Sequence, residues 1–176
     1  MKSAVKLYSL TLILISLFFN PVSLFAQKKG KAPRVVKTGE NLKCGFVAKT
    51  DSSFDNFIRI KVSSRTEVLI KLVDIKTDSS VRMAFINSSD TYDIKHIPEG
   101  KYYIKVAMGK EWAFKDSSRC AGEFKQIPLY KKINQKFSFK KKSSGVDNYI
   151  LELDEISTGN KNAMKDSFIT EKEFNK

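Results

Sequence analysis

After residue 41, most of the chain consists of short runs in which apolar and polar side chains alternate. The alternation is clearest in residues 57–62 (FIRIKV) and 68–75 (VLIKLVDI), and Ser, Asp, Asn or Gly residues separate one run from the next. A period of two is typical of β-strands with one buried face. We expect strands near residues 43–49, 56–62, 67–76, 81–87, 91–96, 101–108, 135–141 and 147–155. Seven or eight antiparallel strands at this spacing predict an all-β, Ig-like sandwich over residues 42–156.

Two of these runs differ in how much of each face is apolar. In residues 67–76 both faces carry apolar side chains, which indicates a central strand covered on both sides. In residues 101–106 one face carries Tyr102, Ile104 and Val106 while lysines interrupt the other, which predicts a half-buried strand.

Residues 67–112 contain a more specific order of elements. A strand, an Asp/Ser turn, a second strand and a polar hairpin lead to residues 92–94 (YDI) and 97–102 (IPEGKY), and a final strand then ends at a glycine. This order resembles the carboxypeptidase-regulatory-like, transthyretin-like β-sandwich modules. The resemblance implies that Gly100 takes the positive φ of a tight turn and that Tyr102 turns inward between the sheets. It also implies a rigid accessory, adhesive or carrier-associated role.

The first 26 residues have the pattern of a secretory signal peptide. Lys2 and Lys6 precede an apolar run over residues 10–19, and Ala26 offers a small residue at a cleavage site. The alternative is an N-terminal membrane anchor, but the run is much shorter than the roughly 20 residues that span a bilayer. Cleavage would remove two lysines and no acid, which lowers the formal net charge from +13 to +11. Residues 27–41 are lysine-rich and aperiodic, which predicts a flexible leader.

Export changes the meaning of the charge and of the cysteines. Outside the cytoplasm, a basic protein meets anionic polysaccharides, membrane surfaces and acidic proteins, so we do not expect nucleic acid as a partner. Cys44 and Cys120 would lie in an oxidising compartment, where a disulfide between them is the preferred interpretation. The alternative is a pair of buried free thiols.

Residues 113–134 follow the resembling segment and are expected to be an insertion in the form of a long loop. A loop this rich in aromatic side chains either packs on the core, pinned by Cys120, or presents them to a partner. In the second interpretation the aromatic side chains form a platform for a sugar ring or a peptide, and neighbouring cations favour an anionic ligand. The residues of this predicted surface are Trp112, Phe114, Tyr130, Lys110, Lys115 and Arg119.

The segment 131–142 contains six lysines around two phenylalanines that share one strand face. Lysines commonly protect an edge strand from pairing with another chain, and a salt-sensitive contact with an acidic surface is the alternative. The lysines assigned to this basic edge strand are Lys136, Lys140, Lys141 and Lys142.

The last 20 residues, 157–176, are expected to form a linker and one short helix. Thr170 and Glu173 have the spacing of a capping box, and Ile169 and Phe174 occupy the positions of a hydrophobic staple. Because isolated helices this short are marginal in water, the turn either docks on the sandwich or frays until a partner binds.

The chain contains few of the residues that catalysis requires. It has one His and two Cys, and it lacks Gly-x-Ser-x-Gly, a phosphate-binding glycine loop and His-Glu-x-x-His. We expect no enzyme activity, no cofactor and no metal site; a hydrolase built on Asp116 and Glu123 ranks third. The favoured function is a non-enzymatic, exported interaction module of the bacterial periplasm or cell surface that binds another envelope protein. The alternative is a carbohydrate- or polyanion-binding domain that uses Trp112, Tyr130 and nearby lysines.

Overall fold

The computed structural model describes residues 35–115, 121–142, 145–154 and 167–176. The chain divides after Arg34, and all of these residues belong to the unit Val35–Lys176. The predicted signal peptide at residues 1–26 lies outside the described residues. So do most of the leader and most of the linker.

Within these described residues, eight strands form two sheets, and one short helix follows them. The elements are β1 (Phe57–Val62), β2 (Glu67–Asp74), β3 (Ser79–Ile86), β4 (Thr91–Lys95), β5 (Gly100–Phe114), β6 (Gly122–Phe139), β7 (Asn148–Leu153), β8 (Ser167–Phe168) and α1 (Glu171–Asn175). One sheet has the order β4-β1-β7 and the other has the order β3-β2-β5-β6-β8. The prediction of an all-β sandwich with a short C-terminal helix is therefore confirmed.

One strand pair departs from the predicted antiparallel arrangement, because β1 and β7 run parallel while the other pairs are antiparallel. Antiparallel neighbours are usually joined by a short hairpin, whereas β1 and β7 are separated by five other strands along the chain. No turn fixes their relative direction, so the local sequence contains no signal for it.

The main core lies between the two sheets. Val68, Ile70 and Leu72 of β2 are each 0% exposed and meet inward side chains from the smaller sheet. β2 lies between β3 and β5, in the central position that its two apolar faces predict. The largest side chains in this core come from both sheets, namely Tyr102, Phe137, Phe139, Ile58, Ile60 and Ile94.

Tyr102 lies inside the sandwich, where its hydroxyl donates a hydrogen bond to the carbonyl oxygen of Pro98 at 2.9 Å. Gly100, however, does not have the positive φ predicted for it. A Cβ atom at Gly100 would lie only 2.9 Å from the Tyr102 hydroxyl. The glycine is required for close approach of the tyrosine, and the positive φ of this corner belongs to His96.

The segment before β1 also differs from its prediction. No strand forms over 43–49, where Gly45 takes a positive φ within a turn. The end of the predicted flexible leader is packed, because Val36 is buried and the amide of Gly39 donates to the carbonyl of Phe85 at 2.7 Å. Hydrogen bonds to the edge of β3 order this segment. Because the bonded residues Gly39 and Phe85 are 46 positions apart, no local sequence pattern predicts this order.

The predicted insertion at 113–134 is a β-hairpin for the most part. β5 continues for 15 residues and β6 for 18, and they pair along most of their length. Two irregularities interrupt the pairing, and Ile127 has a positive φ. Because these bulges interrupt the alternation of apolar and polar residues, the sequence pattern predicts a loop where the structure has a hairpin.

Candidate functional site

A second apolar cluster covers the outer face of the five-stranded sheet, the face turned away from the smaller sheet. Leu69 of β2 belongs to it, whereas its neighbours Val68 and Ile70 belong to the main core, as strand alternation requires. Its buried members are Val36, Leu42, Leu69, Met83, Phe85, Ala107, Phe124 and Phe174. The cluster thus joins the strands to both ends of the described chain.

The aromatic residues predicted as a platform come together in this cluster, but they are packed into it. The ring of Trp112 lies 5.7 Å from that of Phe85 and 5.0 Å from that of Phe124, with an edge toward each. Tyr130 lies 5.5 Å from Phe174, and Phe114 is also partly buried against the cluster. These contacts give the rings a packing role, and all three side chains remain partly exposed.

Of the three cations predicted to flank the aromatic platform, two lie among the described residues. Lys115 forms ion pairs with Glu123 at 3.0 Å and with Glu171 at 3.3 Å, and hydrogen bonds from Lys125 and Lys115 hold the pKa of Glu123 below its usual value. Lys110 is half-buried on β5. Arg119 lies outside the described residues.

The terminal helix α1 docks on the outer face. Thr170 forms both bonds of the predicted capping box: its hydroxyl accepts from the amide of Glu173 at 3.2 Å, and its amide donates to that carboxylate at 2.7 Å. Phe174 is 2% exposed, and Ile169 packs against the same apolar cluster. Of the two outcomes expected for this turn, docking is the one observed.

Three lysines lie side by side beneath and beside α1, and we call them the lysine row. Lys71 of β2 is opposite Lys105 of β5, which in turn is opposite Lys132 of β6. Lys71 donates to the carbonyl of Phe174 at 2.7 Å, and Lys105 donates to that of Glu173 at 2.9 Å. Cations favour the C-terminal end of a helix because its last carbonyls have no partner within the helix. The row therefore anchors α1.

The lysine row is costly because its inner members are buried. Lys71 is 5% exposed and Lys105 is 7% exposed. Burial, with smaller effects from Lys43 and Lys105, lowers the pKa of Lys71 to about 8. No carboxylate is bonded to either ammonium in the part of the chain described here. Sequence reasoning missed the row, since each lysine alone looks like an ordinary polar position in a strand.

Only one of the two cysteines of the predicted disulfide lies among the described residues. Cys44 lies in the turn before β1, and no described cysteine is a free thiol. Cys120 lies outside the described residues, so the pairing of Cys44 with Cys120 stays a prediction.

The basic segment coincides with the last part of β6 and the residues after it. β8 pairs with β6 only at Lys131 and Lys132, and the hydroxyl of Tyr149 bonds to the backbone of Ser138 at 3.0 and 3.2 Å. Lys136 and Lys140 are exposed, Lys141 is exposed near Asp51, and Lys142 pairs with Asp147 at 2.5 Å.

His96 and its surroundings have structural contacts. Its Nδ1 lies 2.8 Å from the carbonyl oxygen of Phe54. The buried side chain of Asn56 bonds to the amide and the carbonyl of Ile97 at 2.7 and 2.8 Å, and Arg82 donates to the carbonyl of His96 at 3.0 Å. These bonds tie the corner before β5 to both sheets. Sequence reasoning missed Asn56 and Arg82.

The described ranges contain no group of three or more His, Cys, Asp or Glu side chains placed to hold a metal ion. Their one helix, α1, has five residues, and no helix there has the length and apolar character needed to cross a membrane.

Comparison with known proteins assigns no family. No family model, no curated protein and no solved structure matches the chain. The resemblance of residues 67–112 to transthyretin-like modules therefore stays a prediction.

Proposed function

We propose that this chain is a non-enzymatic, exported β-sandwich module that acts in the periplasm or at the cell surface of a bacterium and binds an acidic envelope protein. The observation that carries the proposal is the arrangement of exposed lysines on β5 and β6. Lys101, Lys132 and Lys136 are exposed, and strand alternation places all three on the outer face of the larger sheet.

These three lysines have no ion-pair partner among the described residues. Lys132 instead lies over the ring of Tyr103, with its ammonium 4.3 Å from the centroid. The carboxylate of Asp78 accepts a hydrogen bond from the hydroxyl of the same tyrosine at 2.5 Å. An exposed group of like charges at one end of a sheet attracts a partner of opposite sign and speeds its association.

The proposal is tested by capture from envelope fractions with two variants of equal charge. The first is Lys101→Gln/Lys132→Gln/Lys136→Gln, and the control carries Lys49→Gln, Lys61→Gln and Lys95→Gln outside this surface. We expect the wild type and the control to retain the same protein, the first variant to lose it, and elution to follow rising salt because exposed ion pairs are screened. Equal retention by both variants would refute the proposal.

An anionic polysaccharide is the second candidate, and the same exposed lysines favour it. Direct binding to a sulfated polysaccharide separates the two, since a polysaccharide reader binds it at physiological salt and loses binding in the first variant. The packing of Trp112 between Phe85 and Phe124 weakens the version in which a sugar ring stacks on the tryptophan. Trp112→Phe is therefore expected to leave polysaccharide binding unchanged.

The capture experiment needs the complete C terminus. Removing residues 167–176 would uncover Lys71, Lys105 and the apolar cluster beneath α1. A loss of partner after this truncation would reflect the damaged face as much as a lost contact.

A further inference from the structure

A cavity of about 250 Å³ opens beside the lysine row, between α1, β2 and the tip of the β5–β6 hairpin. Four apolar side chains form much of its wall, namely Leu42, Leu69, Met83 and Trp112. Three ammonium-bearing side chains reach the same space, namely Lys43, Lys71 and Lys115. Ala121, Gly122 and Asn175 also line it, and no carboxylate is among the lining residues that belong to the described ranges.

The three cations differ in how far their charge is already balanced. Lys115 is paired with Glu123 and Glu171. Lys71 donates to one backbone carbonyl, and the centroid of the Phe174 ring lies 4.3 Å from its ammonium. Lys43 has an exposed side chain for which the described residues supply no ion pair. The positive charge at the cavity is therefore partly unmatched.

Burial makes this unmatched positive charge costly. An ammonium taken out of water is strongly stabilised by a nearby anion, because the surrounding protein screens the attraction less than water does. The like charges of Lys43 and Lys105 act on Lys71 in the same direction as its burial. An anion placed between Lys43 and Lys71 would relieve both effects.

A second cavity of similar size has a different arrangement of charged side chains. It is lined by Thr50, Arg82, Met83, Ala84, Tyr92, Asp93, Ile94 and Lys95. There Asp93 is bonded to Arg59, and Arg82 is bonded to backbone carbonyls. Its described lining includes the carboxylate of Asp93 beside the cations Arg82 and Lys95, whereas the charged side chains described around the first cavity are all cationic.

We propose that the cavity beside the lysine row binds a small amphiphilic anion, an organic carboxylate with an apolar body. Its carboxylate lies between the ammonium groups of Lys43 and Lys71, and its apolar part packs on Leu69, Met83 and Trp112. This site is separate from the exposed lysines that carry the proposed function, so either can fail without the other.

Trp112 makes the test direct because it is the only tryptophan in the chain and lines the cavity. Titration of the protein with octanoate is followed by tryptophan fluorescence and calorimetry. Octan-1-ol supplies the same body without the charge, and acetate supplies the charge without the body. We expect saturable binding of octanoate, at least tenfold tighter than that of either comparison compound.

Two charge-removing variants locate the site. Lys43→Met is the main one because the Lys43 side chain is exposed and has no ion pair with the described residues. Lys132→Met is its matched control, in the lysine row but not among the residues that line the cavity. We expect at least a tenfold loss of octanoate affinity in Lys43→Met and no change in Lys132→Met. Equal affinity in the two variants, or octan-1-ol binding as tightly as octanoate, would overturn the proposal.

Discussion

On the outer face of the three-stranded sheet, charged side chains meet partners of opposite sign across neighbouring strands. Arg59 of β1 is opposite Asp93 of β4, and Lys61 is opposite Glu152 of β7, with nitrogen to oxygen distances of 2.8 and 2.9 Å. On the outer face of the five-stranded sheet, the lysine row places like charges at the corresponding positions.

The difference follows from what covers each face. The smaller sheet turns its outer face to water. There, a pair of unlike charges on directly facing positions of neighbouring strands stabilises the sheet by about 0.2–1 kcal/mol. The larger sheet is covered by the segment before β1 and by α1, and the carbonyl groups at the end of α1 accept the lysine hydrogen bonds. A row that would be unfavourable on an open sheet is tolerated because a helix end lies over it.

The largest expected effect is the loss of unfolding free energy when the helix α1 no longer packs over the larger sheet. Phe174→Ala removes a side chain that is 2% exposed, and emptying such a position costs about 3 kcal/mol of unfolding free energy. Phe57→Ala on the outer face of the smaller sheet is the matched control, and its half-buried ring should cost about 1 kcal/mol or less. Urea unfolding measures both. Equal losses would show that the two faces are covered alike.

The second effect is a pH dependence that belongs to the larger sheet. The pKa of Lys71 is about 8 in the folded protein, below its ordinary 10.5, so between these values the unfolded chain binds more protons. Stability should therefore rise with pH, by about 1 kcal/mol from pH 7 to pH 9 through this group. The measured quantity is the unfolding free energy of wild type minus that of Lys71→Met at each pH.

Lys132→Met provides the comparison for this measurement, since it removes an exposed member of the same row. A pH dependence for Lys71→Met no larger than that for Lys132→Met would contradict the assignment of a buried, desolvated ammonium to position 71.

The third effect concerns how α1 is held in place. Thr170→Ala removes the N-cap hydroxyl and should cost about 1 kcal/mol, whereas Thr170→Ser keeps the hydroxyl and should cost little. Hydrogen exchange at the amide of Glu173, which donates to that hydroxyl, should accelerate in Thr170→Ala. Unchanged exchange would mean that docking of Phe174 alone holds the helix.

The smallest effect is expected on the open face. Arg59 and Asp93 are 41% and 19% exposed, and a double-mutant cycle with Arg59→Ala and Asp93→Ala should give a favourable coupling that is the smallest of these effects, because water screens an exposed ion pair. Hydrogen bonds from Arg59 hold the pKa of Asp93 below its usual value, so the coupling should weaken as the pH falls and Asp93 is protonated. It should also weaken in high salt. A coupling energy larger than the loss of unfolding free energy in Phe174→Ala would reverse the comparison between the two outer faces.

Much of the fold was predictable because it depends on local patterns. The alternation in residues 68–75 identified a strand covered on both faces, and Thr170 with Glu173 identified the helix start. The β5–β6 hairpin was missed because bulges interrupt its alternation. The packing of Val36 on β3 was missed because its contacts lie far away along the chain.

The candidate site was predictable in part. The sequence directed attention to Trp112, Phe114 and Tyr130, and these side chains do gather in one place. Their role was not predictable, since an aromatic residue in a hairpin can face water or a neighbouring ring. Lys71 and Lys105 were not selected because their lateral contact depends on which strands pair and in what register.

The sequence by itself determined the β-rich fold, the faces of the strongest strands and the capped terminal helix, because each arises from residues within a few positions of one another. Only the tertiary structure decided the order of the strands, the cover on the larger sheet and the cavity beside the lysine row. These features join residues that are far apart along the chain, as in the bond from Lys71 to Phe174 across 103 positions. Such contacts are chosen by the packing of the whole chain, and no local period in the sequence encodes them.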